Sequence, residues 1–213
     1  MSAAFDVPSV VQQIRAKKKY QHVDPELITF IASSEIKKYR TLKETVKATA
    51  NTLHQIAWAY LPQQPDYAAH LQELANLPQD IHAAESRSFC ERVMQEHTST
   101  RERLPILTEF YCTLFKDIQP VRSILDLACG FNPLAFSWMP LEKEARYSAF
   151  DIFHDMASFL QSFFDHFFIA GRAAVANLLS QLPQEDGQVA LLLKTLPCLE
   201  QAEKDSARRI LRS

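Results

Sequence analysis

Between residues 104 and 115 the apolar side chains fall at Leu104, Leu107, Phe110, Tyr111, Leu114 and Phe115. This i, i+3, i+4, i+7 pattern predicts one amphipathic helix. Residues 42–60 repeat it, with Val46, Leu53, Ile56, Ala57 and Tyr60 on one side. Asp24-Pro25 reads as a helix start and residues 62–65, bounded by two prolines, as a loop. Residues 1–117 are therefore expected to form a domain of five to seven short helices. After Pro120 the pattern changes. Short apolar runs at 123–127, 146–150, 172–176 and 188–194 read as strands, and the segments 133–140, 155–168 and 200–211 between and after them read as helices. Such alternation predicts parallel strands joined by crossovers, an α/β sheet occupying residues 118–213.

The chain has 213 residues, 47% hydrophobic and 23% charged, a composition suited to a packed globular protein. Its net charge of −2 excludes a strong global attraction to polyanions, but the charge is uneven. Within the first fifty residues, Arg15, Lys17, Lys18, Lys19, Lys37, Lys38, Arg40, Lys43 and Lys47 outnumber Asp6, Asp24, Glu26, Glu35 and Glu44. Cys90, Cys112, Cys129 and Cys198 form no CxxC pair, so neither a zinc knuckle nor a disulfide framework is expected, and no metal site. The N-terminus shows no basic stretch ahead of a long apolar core, and no apolar run reaches the ~18–20 residues of a membrane span. A cytoplasmic location without membrane attachment follows. The three glycines, Gly130, Gly171 and Gly187, all lie in the second half, where backbone freedom is expected to matter.

The run SILDLACGFNPLAF carries the first candidate chemistry. A strand ends near Asp126, and the small residues Ala128 and Gly130 let backbone approach a ligand closely. In place of further glycines stand Asn132, which tolerates left-handed geometry, and Pro133, which suits a first helical turn. This is not the GxGxxG of a pyrophosphate cradle. Asp151 closes the second strand 21 residues after Gly130 (151 − 130). An acid there either hydrogen-bonds a ribose or caps the following helix. Asn177, after the third strand, can pair with an adenine edge or simply make a turn. An adenosine cofactor without polyphosphate satisfies these positions, and S-adenosylmethionine with methyl transfer fits best.

The same run, with AFDI at 149–152, LLLKTLPCLE at 191–200, EHTSTRERL at 96–104, and KKKYQHVDPELITFI and RTLKETVKATANTLHQIAWAYL nearer the N-terminus, resembles the aminoglycoside-resistance 16S rRNA methyltransferases of the Arm/Rmt type. The resemblance implies a class I S-adenosylmethionine-dependent methyltransferase sheet, Rossmann-like, preceded by an N-terminal helical bundle that binds rRNA. It implies N7 of a guanine in the decoding site of 16S rRNA, within the 30S subunit, as methyl acceptor, and aminoglycoside resistance as outcome. Residue by residue, it implies that Ala128 and Gly130 line the methionine part, Asp151 the ribose, and Asn177 and Leu178 the adenine. Arg103 would meet the methionine carboxylate, and Lys194, Leu196 and Pro197 would border the place where cofactor and base meet.

Other readings stand beside these. Arg103 taken alone is a solvated helix residue, and residues 97–99 are a helix-capping segment ahead of Glu102. Lys194 is read as positioning or electrostatic, a base, or a plain strand-end lysine. Lys17, Lys18, Lys19, Lys37, Lys38 and Arg40 suit phosphate contacts on structured RNA, although any single lysine is better read as solvated. Phe131, Trp138, Phe163 and Phe164 are candidates to stack on a base or to fill the core. Asn177 departs from the family's usual aspartate. The sheet, expected to be incomplete after strand 188–194, leaves that apolar strand as an open edge suited to self-association. Weak cofactor binding and little or no methylation by this chain are expected from it. The alternatives are a methyltransferase acting on another substrate and a catalytically silent RNA-binding module.

Overall fold

The computed structural model describes residues 5–212; residues 1–4 and Ser213, where the incomplete sheet was expected to stop, lie outside them. Three helices open the fold: α1 (Val7–Arg15), α2 (Pro25–Glu35) and α3 (Leu42–Ala57). The first has Pro8 in its opening turn and the Asp6 side chain accepting from Ser9 N–H. In α2 the start expected at Asp24-Pro25 is a true cap, the Asp24 carboxylate accepting from Glu26 N–H. Thr41 and Glu44 form a capping pair at α3, Thr41 Oγ1 accepting from Glu44 N–H and donating to its carboxylate. Then follow α4 (Tyr67–Leu74), α5 (Ala84–Gln95), the single turn α6 (Thr98–Arg101) and α7 (Leu107–Phe115). The continuous helix expected over 104–115 is broken. Pro105 sits within a 3-10 turn at Leu104–Ile106, and regular α geometry begins only at Leu107.

The second half supplies β1 (Val121–Leu127), β2 (Leu141–Asp151), α8 (His154–His166), β3 (Gly171–Val175), β4 (Val189–Leu191), α9 (Thr195–Ala202) and α10 (Ser206–Ile210). All pairings are parallel, in the order β3-β2-β1-β4. From β1 the chain steps to β2 and β3 on one side, then crosses back to β4 on the other. The strand order therefore reverses between β1 and β4, and ligands of such sheets bind at the strands' carboxyl ends beside that point. Registers Asp126↔Ala149 and Asp151↔Val175 align those ends.

Three expected elements change, among them the closing helix 200–211, which extended Glu203 and left-handed Asp205 split between α9 and α10. The segment 133–140 is a 3-10 turn, Asn132–Trp138, rather than an α-helix. Strand 188–194 shrinks to Val189–Leu191 because Lys194 adopts left-handed backbone (φ 60°) and α9 begins at Thr195. Among the described residues β4 pairs only with β1. Of the three glycines, Gly130 alone has positive φ; a Cβ on Gly171 or Gly187 would instead strike Phe164 or Leu125.

One hydrophobic core runs through helices and sheet. Phe131, Phe163 and Phe164 are fully buried in it, while Trp138 stacks on the Arg87 guanidinium at 4.6 Å. The three phenylalanines pack the interior rather than presenting faces to a base, and half-buried Trp138 gives its ring face to Arg87. Trp58, after α3, meets Tyr20 and Phe153 edge-on at 5.1 Å, joining the first helices to the start of α8. Among the described residues no helix is long and apolar enough to cross a membrane.

Candidate active site

The loop after β1 turns through two left-handed residues, Ala128 (φ 53°) and Gly130 (φ 52°). Ala128 has a Cβ and is strained there, as is Lys194 across the cavity. Such strain persists only where surrounding structure enforces it. Asn132, expected to help by tolerating left-handed geometry, is not among the positive-φ residues; its side chain matters instead.

Asp151 sits at the end of β2, 9% exposed. One carboxylate oxygen accepts from Gly130 N–H at 2.9 Å and the other from Ile152 N–H at 2.7 Å. Burial pushes its pKa up, and these backbone donors oppose the shift. The helix-cap reading is not met, because α8 has no side-chain cap. Each oxygen keeps a further lone pair for a ligand hydroxyl. Asn177 makes a turn, its Oδ1 accepting from Leu179 N–H at 3.1 Å, while its buried Nδ2 has no hydrogen-bond partner.

Arg103, after α6, is 8% exposed rather than solvated. One terminal nitrogen donates to Ser99 Oγ at 2.9 Å, another to Asn132 Oδ1 at 2.9 Å, and the buried Nε is unpartnered. Asn132 Nδ2 donates to Asp126 at 2.8 Å, and Tyr147 donates to the same Asp126 oxygen at 2.6 Å. Burial raises Asp126 to about 6 against the pull of those two hydrogen bonds. Lys194 Nζ pairs with Glu102 and lies 5.8 Å from the Tyr60 ring centroid, and Tyr60 hydroxyl donates to the Lys194 carbonyl at 3.3 Å.

Ala128, Asp151, Asn177, Leu178, Arg103 and Lys194 all line a single cavity beside the reversal point. Gly130 stands behind it, holding Asp151 through its N–H. Leu196 and Pro197 occupy the first turn of α9 outside the lining, where Thr195 and Cys198 stand instead.

The chain matches the ribosomal RNA methyltransferase (FmrO) family over residues 15–213. It belongs to that family. It is 36% identical over 207 residues to the 16S rRNA (guanine(1405)-N(7))-methyltransferase of Micromonospora echinospora, covering 96% of this chain and 76% of that protein. The Serratia marcescens protein of the same name is 30% identical over 209 residues, covering 98% of this chain and 77% of that protein. The 16S rRNA methylase RmtB superposes with TM-score 0.82 at 29% identity, over 98% of this chain and 80% of that one. RmtF, solved in complex with S-adenosyl-L-homocysteine, gives 0.80 at 26%, over 99% and 78%.

In this FmrO-family chain the cavity's polar groups fit an adenosine-amino acid cofactor. Arg103 Nε and Asn177 Nδ2 are donors without partners, and Asp151 is an acceptor with spare capacity. Sequence reasoning missed Tyr60, His97, Ser99, Thr195 and Cys198. The segment at 97–99 does not cap α6, which has no side-chain cap. Its serine braces Arg103, and its histidine packs against Gly130. The Ser99–Arg103 spacing of one helical turn was the available signal.

The basic residues do not form one patch. Lys17, Lys18, Lys19, Lys37, Lys38 and Arg40 are exposed, and Lys38 pairs with Glu35. Lys19 Nζ lies 3.0 Å from His54 Nδ1, near the end of α3, whereas Arg40 immediately precedes the cap at its start. At 1.5 Å per residue the two groups bracket about 20 Å of helix.

His97 lines the cavity half-buried, and its Nδ1 is buried without a hydrogen-bond partner. Burial, with Arg103 nearby, lowers its pKa from 6.5 to about 4. The folded chain therefore resists protonation that the unfolded chain accepts. The stability this withholds is fully present above pH 6.5 and lost as pH falls through about 4. Wild type should lose at most about 3 kcal/mol over that interval that His97→Gln does not. Parallel melting-temperature profiles for the two proteins would refute it.

Proposed function

We propose that this chain carries the methyl-donor site of an S-adenosylmethionine-dependent enzyme that methylates N7 of guanine 1405 in 16S rRNA, the activity its relatives' names describe. The observation that carries the reading is the meeting of Arg103, Asp151 and Asn177, each with unspent hydrogen-bonding capacity, in one cavity at the reversal point of the sheet. Arg103 takes the methionine carboxylate, Asp151 the ribose hydroxyls, and Asn177 with Leu178 the adenine. The bound cofactor supplies an electrophilic methyl group.

Guanine N7 has a free lone pair, so methylation there removes no proton and positioning can supply most of the rate. Lys194, engaged by Glu102 and the Tyr60 ring face, suits an electrostatic and positioning role at the cavity rim rather than that of a base. The two basic groups flanking α3 suit phosphates of a folded rRNA within the 30S subunit, and a cytoplasmic location goes with that reading. Aminoglycoside resistance is the cellular outcome of this reading, and the β4 edge is the surface for self-association.

The test incubates the chain in excess over 30S subunits with methyl-labelled S-adenosylmethionine in a single turnover, then maps N7-methylguanine by borohydride-aniline cleavage. Label at guanine 1405, slight in amount and absent with Arg103→Met, is the expected result. Label elsewhere, or none despite calorimetric binding of the cofactor, rejects this acceptor.

A further inference from the structure

Arg103 reaches the cavity from the helical half, held there by Ser99 from its own side and by Asn132 from the sheet half. Asn132 Oδ1 accepts from two donors, the Arg103 guanidinium at 2.9 Å and the Tyr111 hydroxyl at 2.5 Å. Its Nδ2 donates to Asp126 at 2.8 Å and lies 3.2 Å from the Tyr147 hydroxyl, which itself donates to Asp126 at 2.6 Å. This accounting fixes the amide's orientation, since a flipped Asn132 would set its NH₂ against two donors and its oxygen against a carboxylate. An amide accepts on one side and donates on the other, as both neighbours here require. An aspartate at 132 would face Asp126 with like charge, and an aliphatic residue would leave Arg103 and Asp126 buried without their bridge.

We propose that Asn132 is the positioning residue of the carboxylate subsite, its amide locked by Asp126 and Tyr147 so that Arg103 presents its unpartnered Nε edge to the cofactor's methionine carboxylate. This rests on the reading of Arg103 given above. With one terminal nitrogen held by Ser99 and the other by Asn132, the guanidinium plane cannot rotate, and Nε with an adjacent N–H remains as a two-toothed donor. The buried positive and negative groups offset one another through the amide, and the raised pKa of Asp126 is in keeping with how completely water is excluded there.

The test compares two ligands by calorimetry: S-adenosylhomocysteine, which has the carboxylate, and 5′-methylthioadenosine, which lacks it. Asn132→Ala should weaken the first by about 30-fold and the second by no more than about twofold, as the loss of oriented charge-assisted hydrogen bonds requires. Combined with Arg103→Met it should cost little beyond Arg103→Met alone. Tyr147→Phe keeps its ring and removes only the hydroxyl, so it tests the bridge should Asn132→Ala fold poorly; a smaller loss confined to S-adenosylhomocysteine is expected. Equal losses for both ligands, or none, overturn the role of Asn132. If Arg103→Met itself fails to discriminate between the ligands, the underlying assignment of Arg103 is wrong instead.

Discussion

Replacing Asp151 with alanine should weaken S-adenosylmethionine binding by about 100-fold or more if, as proposed, its buried carboxylate accepts from both ribose hydroxyls, since those hydrogen bonds are then lost together. The loop that carries the ligand suffers as well. Gly130 and Ile152 each donate a backbone N–H to Asp151, one to either oxygen. Asparagine can satisfy one of them and must turn its NH₂ toward the other, so Asp151→Asn should bind nearly as poorly as Asp151→Ala despite its similar shape. Calorimetry on the three proteins reads the order directly. An asparagine variant within about threefold of wild type would show that the charge and double acceptance of Asp151 are not what the site uses.

Gly130→Ala should be strongly damaging to both stability and ligand binding. At φ 52° an L-residue is disfavoured by about 1–2 kcal/mol. The added Cβ would also lie 2.7 Å from His97 Nε2 and 2.8 Å from Cε1, closer than carbon atoms pack. A melting temperature lower by several degrees is expected, at about 2–4 °C per kcal/mol for a chain of this size, with cofactor affinity reduced at least about tenfold through Asp151. Trimming the ring with His97→Ala removes the clash and leaves the backbone strain. The double variant should therefore be less destabilised than the sum of the singles by about 1 kcal/mol or more. Strict additivity would mean that His97 does not press on the loop.

The parts of this site legible in the sequence were those set by spacing along one strand-loop unit. Ala128, Gly130 and Asp151 belong to β1, its loop and β2, and parallel pairing in register brings Asp151 to the loop whatever else the chain does. Asn177 follows by the same logic at the end of β3. The bridge through Asn132 was not legible, because a side chain's partners across 29 residues, as for Asn132 and Arg103, depend on how α6 docks and leave no periodic trace. The broken helix at 104–106 was missed for a related reason. Hydrophobic spacing continues through Pro105 although the backbone geometry does not. The shortening of β4 rests on the left-handed turn at Lys194, and lysine gives no local hint of that geometry.

The division at residue 117, natural from the change in pattern, cuts through the site. Ser99, Arg103 and Tyr111 come from one side of it; Asp126, Asn132 and Tyr147 come from the other. A chimera that borrows the helical half of a relative would inherit half of a buried polar lattice with mismatched partners. A junction farther upstream, before His97, lets residues 97–111 travel with the sheet they brace, and leaves Trp58 and Tyr60 as the contacts that the exchanged helices must still match to Phe153 and Lys194.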